Sequence, residues 1–137
     1  MTYDEQPPEE TRSACLGSAA ADHARLSYEY LNDGDLDGYA SLFEKDAVLH
    51  RPDLTIRGRT ELESFHKDRV GLCRHSVTNV IPAASGEHVV VLGRTTEPGL
   101  DGQVTFAAVF TVSSRGLFVS QQTFYFVPPW PRGTPGR

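Results

Sequence analysis

Four extended segments fill the second half of the chain, and they constrain the fold more than any other feature of the sequence. Strand-forming residues, chiefly Val, Thr, Phe and Tyr, dominate residues 74–82, 87–97, 103–113 and 117–127. Turn-forming residues, glycine among them, separate these segments at positions 85–86, 98–102 and 114–116. The spacing predicts a meander of four consecutive strands.

Three helices are predicted ahead of the strands. Apolar and small residues recur at helical spacing from Ser13 to Leu31, and Asn32-Asp33-Gly34 ends that helix. Asp35 is expected to cap a short second helix, in which Leu36, Tyr39, Leu42 and Phe43 share one face. Thr60 followed by Glu63 is a capping box that opens a third helix through about Arg69.

A short hairpin, Val48–Arg51 with Leu54–Arg57, is predicted before the third helix. Helices followed by a strand meander indicate an α+β fold. The 137 residues suit one domain, which we expect to span residues 13–127. Flexible tails are expected at 1–12, which carries Pro7-Pro8 and four acids, and at 128–137, which is rich in Pro and Gly.

Composition excludes several classes of partner. The formal net charge is -5 and the basic residues are scattered, so nucleic acid is not an expected partner. The chain has no apolar run long enough to span a bilayer and no secretory leader, so membrane attachment is not expected and a cytoplasmic location is. Two cysteines, Cys15 and Cys73, are expected to be reduced thiols.

Three stretches carry a family resemblance: Leu31–Tyr39, Leu42–Val48 and Arg57–Leu62. In their order and residue pattern they resemble the nuclear transport factor 2-like superfamily, and in particular its SnoaL-like branch. The resemblance covers about residues 13–127 and implies a cystatin-like α+β roll. In that fold a strongly curved, mixed sheet forms a cone around N-terminal helices, and its concave face holds a ligand. The fold serves isomerases, dehydratases, cyclases, epoxide hydrolases and binding domains, so it does not fix the function.

Templates from this superfamily fit unequally. Ketosteroid isomerases place an Asp just before the Pro of the early hairpin, whereas here Arg51 precedes Pro52. Limonene epoxide hydrolases use two carboxylates that the segments at Arg94 and Gln121 lack. Scytalone dehydratase and its relatives keep a His at the position that resembles His75, which makes them the nearest match.

Two histidines are the predicted catalytic pair. His75, near the start of a strand, and His50, in the hairpin, are expected to project into the concave face. A neutral imidazole accepts a proton at neutral pH and returns it once charged, so His75 would serve as base and His50 as acid. The alternative is that both are hydrogen-bonded core or rim residues. We expect no metal site, because the nearby acids lack ligand spacing, and no nucleotide cofactor, because no phosphate-binding glycine loop is present.

Other side chains complete the predicted site. Tyr28, rather than the alternative Tyr30 on the same helix, is expected to donate a hydrogen bond to a substrate oxygen, although helical tyrosines also simply pack. Arg94 is expected to face an anionic or carbonyl-bearing ligand, the alternative being a structural ion pair with an acid such as Glu29. The remaining expected substrate contacts are Asn79, Gln121, Tyr125, Phe106 and Phe110.

The sequence thus leaves three functions open. The first is a cofactor-independent dehydratase, isomerase or cyclase acting on a small polyketide- or terpenoid-like molecule. The second is a non-catalytic domain that binds a small ligand or another protein, and the third is an epoxide hydrolase-like enzyme. The Val, Phe and Thr residues of the outward sheet face also predict a homodimer.

Overall fold

The structure is a computed structural model that describes residues 9–126, with side chains described from residue 18 onward. The predicted tails lie outside the described residues except for residues 9–12, which belong to the first helix. The elements are α1 Glu9–Asp33, α2 Leu36–Ala40, β1 Phe43–His50, β2 Thr55–Arg57, α3 Arg59–Lys67, β3 Arg74–Pro82, β4 His88–Thr96, β5 Val104–Val112 and β6 Phe118–Phe126. The α+β class is confirmed.

The six strands form one open, curved sheet in the order β2-β1-β6-β5-β4-β3. The predicted meander of β3 to β6 is antiparallel throughout, as is the β1–β2 hairpin, while β1 pairs in parallel with β6. Register shifts in β1, in β3 and between β5 and β6 interrupt the ladders, and such irregularities increase local bending and twist. The edges of the sheet are β2 and β3.

Side chains alternate between an inner face, covered by the helices, and an outer face. Helix α1 packs on β3 and β4, and α3 packs on β1 and β2. The inner face carries four rows of paired residues: His75-Thr95-Val104, Val77-Gly93-Phe106-Tyr125, Val80-Val91-Ala108-Thr123 and Val89-Phe110-Gln121-Leu49. The outer face carries the rows Ser76-Arg94-Thr105-Phe126, Asn79-Leu92-Ala107-Phe124 and Ile81-Val90-Val109-Gln122-His50. Paired residues share a face, so these rows decide which side chains reach the interior.

The helix ends follow the sequence in part. Asp35 caps α2 as expected, because its Oδ1 accepts a hydrogen bond of 3.0 Å from the backbone N–H of Gly38. Phe43 is not on that helix: α2 ends at Ala40 and Phe43 begins β1, where its ring still lies 4.8 Å from that of Tyr39.

The capping box predicted at Thr60 is wrong. Helix α3 begins one residue earlier, and its cap is Gly58, which makes no side-chain hydrogen bond. The φ of Gly58 is +93°, a conformation that glycine adopts with little strain. In this conformation the Gly58 N–H donates to the carbonyl of Ala47 over 2.7 Å, which ties the start of α3 to β1. Among residues 9–126 no helix has the length and apolar character needed to cross a membrane.

Candidate active site

A buried carboxylate, Glu97, lies at the centre of the polar residues on the inner face. It follows directly after β4 and continues the inward phase of Thr95. Its Oε1 lies 3.0 Å from Nη2 of Arg51 and 3.5 Å from Nη1 of Arg69, while its Oε2 accepts a hydrogen bond of 2.7 Å from the hydroxyl of Tyr125. Two guanidinium groups therefore neutralise one buried acid.

The aromatic ring of Phe65 positions both guanidinium groups. Cζ of Arg69 lies 4.3 Å from the centroid of this α3 ring, and Cζ of Arg51 lies 5.1 Å from it. Arg51 also lies 5.6 Å from the ring centroid of Tyr125. Cation–π stacking of this kind holds the planar guanidinium in a fixed orientation.

His75, on the edge strand β3, places its imidazole beside this cluster. Its Nε2 is 4.0 Å from Oε2 of Glu97, which is too long for a hydrogen bond but close enough for a charge interaction. Its Nδ1 is buried and has no hydrogen-bond partner among the described residues. Burial lowers the pKa of His75 to about 4, because desolvation outweighs the opposing effect of Glu97. The ring is therefore a neutral base at pH 7.

Asn32, at the end of α1, fixes the backbone of His75. Its Nδ2 donates to the carbonyl of His75 over 2.7 Å, and its Oδ1 accepts from the N–H of the same residue over 2.8 Å. One side chain thus satisfies both backbone groups that an edge strand leaves free at this position. The sequence pattern gave Asn32 only a helix-ending role.

Tyr28, from α1, presents a hydroxyl in the same region. The Nε2 of Gln121 donates to this hydroxyl over 3.2 Å and to Oγ1 of Thr123 over 3.3 Å. Because Tyr28 accepts from the amide, its own hydroxyl hydrogen remains available to donate. The Oε1 of Gln121 is buried without a partner among the described residues. Burial raises the pKa of Tyr28 well above its usual value, so the phenol stays protonated.

His66, on α3, is a second imidazole, partly buried, that the sequence analysis did not select. Its Nε2 lies 3.0 Å from the hydroxyl of Tyr39. Burial lowers the pKa of His66 to about 3, and the proximity of His75 adds to the effect. The two imidazoles of this site are therefore His75 and His66.

These side chains enclose a small inner cavity of about 20 Å³, which has room for about one water molecule. Its lining consists of Tyr28, Leu31, Leu49, Arg51, His66, His75, Glu97, Phe106, Gln121, Thr123 and Tyr125. A cleft of about 210 Å³ shares Arg51, Glu97 and Tyr125 with the cavity, and a second of about 210 Å³, between α1 and β3, shares Tyr28 and His75.

Five of the predicted site residues line this cavity: His75, Tyr28, Gln121, Tyr125 and Phe106. Phe110 is fully buried beneath it instead, with its ring 6.1 Å from that of Tyr28 and 4.6 Å from that of Phe118. Phe110 therefore belongs to the core and does not line the cavity, contrary to the expectation that it contacts a substrate.

The prediction that His50, Arg94 and Asn79 face the cavity is wrong. His50 pairs with Gln122 on the outer face, while its neighbour Leu49 points inward. Arg94 is exposed, because β4 turns its odd-numbered residues inward. In β3 the register shifts between Val77 and Asn79, and this bulge moves Asn79 to the exposed face.

The residues that the sequence analysis missed share a recoverable signal. Glu97 lies two residues after the inward-facing Thr95, and Arg51 lies two residues after the inward-facing Leu49. Shifting the predicted inward face of each strand by one residue would therefore have placed both side chains in the interior. His66 lies four residues after the buried Leu62, on the same helical face.

Comparisons with known proteins agree with this architecture, an α+β roll with a buried polar cavity. A model of the SnoaL-like domain matches residues 24–121. The chain therefore belongs to the SnoaL-like domain family, and the predicted resemblance to the nuclear transport factor 2-like superfamily is confirmed. A search of proteins with curated functions gives no match.

Solved structures with the same fold differ widely in sequence. An NTF2-like protein of unknown function from Burkholderia pseudomallei K96243 is 23% identical, with a TM-score of 0.66 and coverage of 79% of this chain and 91% of that one. Bal32a, from a soil-derived mobile gene cassette, is 19% identical, with a TM-score of 0.72 and coverage of 81% and 92%. SalBIII, described as an epoxide hydrolase/cyclase-like enzyme in pyran ring formation in polyether salinomycin, is 17% identical, with a TM-score of 0.69 and coverage of 79% and 91%. At these identities the likeness establishes the fold.

Replacing Asn32 by Asp should destabilise the protein by about 1–3 kcal/mol, because the substitution removes the donor to the His75 carbonyl and sets an acceptor against it. Urea unfolding would measure the loss. Asn79→Asp makes the same chemical change at an exposed position of β3 and should stay within about 0.5 kcal/mol of the unmodified protein. Equal losses in the two variants would contradict the role assigned to Asn32.

The unfolding free energy should fall between pH 7 and pH 5. Each buried imidazole has a lower pKa in the folded protein, about 4 for His75 and about 3 for His66, than the value of about 6.5 expected after unfolding. The unfolded chain therefore binds protons first as the pH drops below about 6.5, and each histidine costs about 2 kcal/mol by pH 5.

Urea unfolding at several pH values would test this dependence. His66→Gln should remove about half of the loss, whereas His88→Gln, at an exposed position, should leave the dependence unchanged. A stability that stays constant from pH 7 to pH 5 would show that neither imidazole is buried in its neutral form.

Proposed function

We propose that this protein is a cofactor-independent acid/base enzyme that moves a proton on a small carbonyl-bearing molecule, as an isomerase, cyclase or dehydratase does. The observation that carries the proposal is the buried, unpartnered Nδ1 of His75, whose ring lines a polar cavity together with Tyr28. Buried polar atoms are nearly always paired, and exceptions concentrate where a ligand or reaction uses them.

His75 is the proposed base. When its Nε2 carries the ring hydrogen, that N–H points toward the Glu97 carboxylate, and Nδ1 presents its lone pair to the substrate. A proton taken from a carbon next to a carbonyl then converts the ring to imidazolium. The nearby carboxylate stabilises that charge, and the 4.0 Å separation is one that a bound substrate can shorten.

Tyr28 is the proposed oxygen-stabilising donor. Its ring centroid lies 5.1 Å from that of His75, so one small group can contact both. As the proton leaves carbon, the negative charge develops on the carbonyl oxygen, where the neutral phenol donates a hydrogen bond. Return of the proton from His75 to another carbon completes an isomerisation. For a cyclisation, the enolate carbon attacks a second carbonyl, and His75 returns its proton to the new alkoxide. For a dehydration, the enolate expels a β-hydroxyl group, which takes the proton from His75 and leaves as water.

Membership of the SnoaL-like family and the likeness to SalBIII support the choice of a small organic substrate. The cavity wall combines these polar groups with apolar side chains, among them Leu31, Leu49 and Phe106. Such a lining suits a molecule of polyketide or terpenoid type, which presents a few oxygens on an apolar frame.

Proton abstraction can be tested before the substrate is known. In D₂O, a panel of enolisable ketones and 1,3-diketones should include compounds that the protein deuterates next to the carbonyl, as NMR would show. His75→Gln should reduce that exchange by at least about 100-fold, the usual contribution of a general base. His50→Gln removes an imidazole from the outer face and should leave the rate unchanged. If exchange is as fast with His75→Gln as with the unmodified protein, His75 is not the base.

A non-catalytic ligand-binding domain is the second candidate. The likeness to a computationally designed 17-OHP binder, which is 16% identical with a TM-score of 0.69, favours it, because that protein uses the same fold to hold a ligand. Under this hypothesis a bound ligand is retained equally by the His75→Gln variant, and no panel compound is deuterated. Epoxide opening is third, since Glu97 is the only acid among the described residues that line the cavity.

We also propose that the protein forms a homodimer through the outer face of its sheet. Phe124 is 42% exposed there, and the paired residues Leu92 and Ala107 extend its apolar surface across three strands. A second copy of the chain covers such a surface by twofold symmetry.

Light scattering should give a mass of two chains. Phe124→Glu should shift the protein toward the monomer, because it introduces two charges into a self-paired interface. Leu72→Glu alters an exposed residue outside the strands and should stay dimeric. A mass of one chain for the unmodified protein at micromolar concentration would exclude this assembly.

A further inference from the structure

A cleft next to the inner cavity carries two guanidinium groups that the proposed proton transfer does not use. The cleft has a volume of about 210 Å³ and opens between Arg51, Arg69 and the loop Pro98–Leu100. Arg51, Glu97 and Tyr125 line both the cleft and the inner cavity, so the two spaces adjoin.

Arg69 is incompletely neutralised in this arrangement. Its carboxylate contact is the 3.5 Å approach to Oε1 of Glu97, an oxygen that Arg51 already occupies at 3.0 Å. Its other polar contact among residues 18–126 is Sγ of Cys73 at 3.9 Å. A guanidinium group has five N–H donors, so these two contacts leave most of the donating capacity of Arg69, which lines the cleft, unused within that range.

The charges around the cleft leave an excess of positive charge on its buried side. Arg51 and Arg69 are 11% and 23% exposed in their side chains, against 4% for Glu97, the buried acid between them. Asp53 also pairs with Arg51, through Nε at 3.1 Å, but it is 53% exposed and its charge is screened by solvent. Two largely buried cations thus face one buried anion.

We propose that this cleft binds a carboxylate group, with Arg69 as its principal partner, and that the substrate of the enzyme is a small oxo acid or hydroxy acid. Stacking on Phe65 holds the guanidinium group of Arg69 in place. A planar guanidinium group can donate two parallel hydrogen bonds to the two oxygens of a carboxylate. One bound monoanion balances the buried charges.

The position of the cleft links this site to the reaction. A carboxylate held by Arg69 directs the rest of the molecule toward Tyr125 and Glu97, beyond which His75 lies. The identification of the substrate as an acid rests on the proposed function, whereas the binding of a carboxylate does not.

Carboxylate binding can be measured on the 137-residue chain with benzoate as the probe and benzamide, its neutral isostere, as the control ligand. In NMR titrations at low ionic strength, benzoate should shift the amide signals of Gly99 and Leu100, and benzamide should bind at least tenfold more weakly. Equal affinities for the two, or shifts that leave these loop signals unchanged, would overturn the proposal without any variant. Inorganic phosphate that binds as tightly as benzoate would overturn the carboxylate class.

Two arginine variants separate a specific site from general charge attraction. Arg69→Gln should weaken benzoate binding at least tenfold. Arg94→Gln removes the same charge from the outer face and should change the affinity less than twofold. Equal weakening in both variants would overturn the assignment to Arg69.

The outcome is independent of the proposed proton transfer. His75→Gln should bind benzoate as the unmodified protein does, so its loss of deuterium exchange and the loss of benzoate binding in Arg69→Gln are separate results. If deuterium exchange depends on His75 but benzoate binding does not depend on Arg69, the carboxylate site is wrong and the proposed function stands. If benzoate binding depends on Arg69 but deuterium exchange does not depend on His75, the carboxylate site stands and the proposed role of His75 is wrong.

Discussion

The buried carboxylate of Glu97 is the constraint on which the rest of the site depends. An isolated charge at such a position costs several kcal/mol, so the fold must bring compensating groups to it. It does so from different parts of the chain: Arg51 follows β1, Arg69 follows α3, and Tyr125 lies in β6. The inner face can enclose polar side chains because Arg51, Arg69 and Tyr125 all contact the carboxylate of Glu97.

Glu97 also divides the interior into two regions of different character. Its Oε1 faces the two guanidinium groups, and its Oε2 faces the hydroxyl of Tyr125 and the ring of His75. Beyond Oε2 the polar groups are neutral imidazoles and phenols, since burial suppresses the charged form of each. One carboxylate thus borders a charged region on one side and an uncharged one on the other.

The sequence predicted the strands of the meander to within one residue at each end, because Gly-containing turns mark their limits. It could not fix which residues face inward, because apolar residues at Val89, Val90 and Val91 fit either phase. As a result Arg94 was predicted to face inward, whereas the structure places Thr95 and Glu97 there. The bulge that turns Asn79 outward depends on pairing between β3 and β4, and no local pattern reveals it.

His75, Tyr125 and Tyr28, which the structure also places at the cavity, were selected on different grounds. His75 was selected by the family resemblance, Tyr125 by alternation along its strand, and Tyr28 by likeness to tyrosines of related folds. His66 was passed over because the adjacent Lys67 suggested exposure, and Arg51 because His50 was expected to face inward. Partners distant in sequence hold both side chains toward the interior, Tyr39 for His66 and Glu97 for Arg51.

The hydrogen bonds from Asn32 to the backbone of His75 have a consequence for how the molecule behaves at high concentration. Strand β3 is a sheet edge, and edges with free backbone groups invite strands of other molecules to add on and grow into aggregates. The amide of Asn32 occupies the place that an incoming strand would take. The residue that anchors the proposed base therefore also blocks intermolecular β-pairing there.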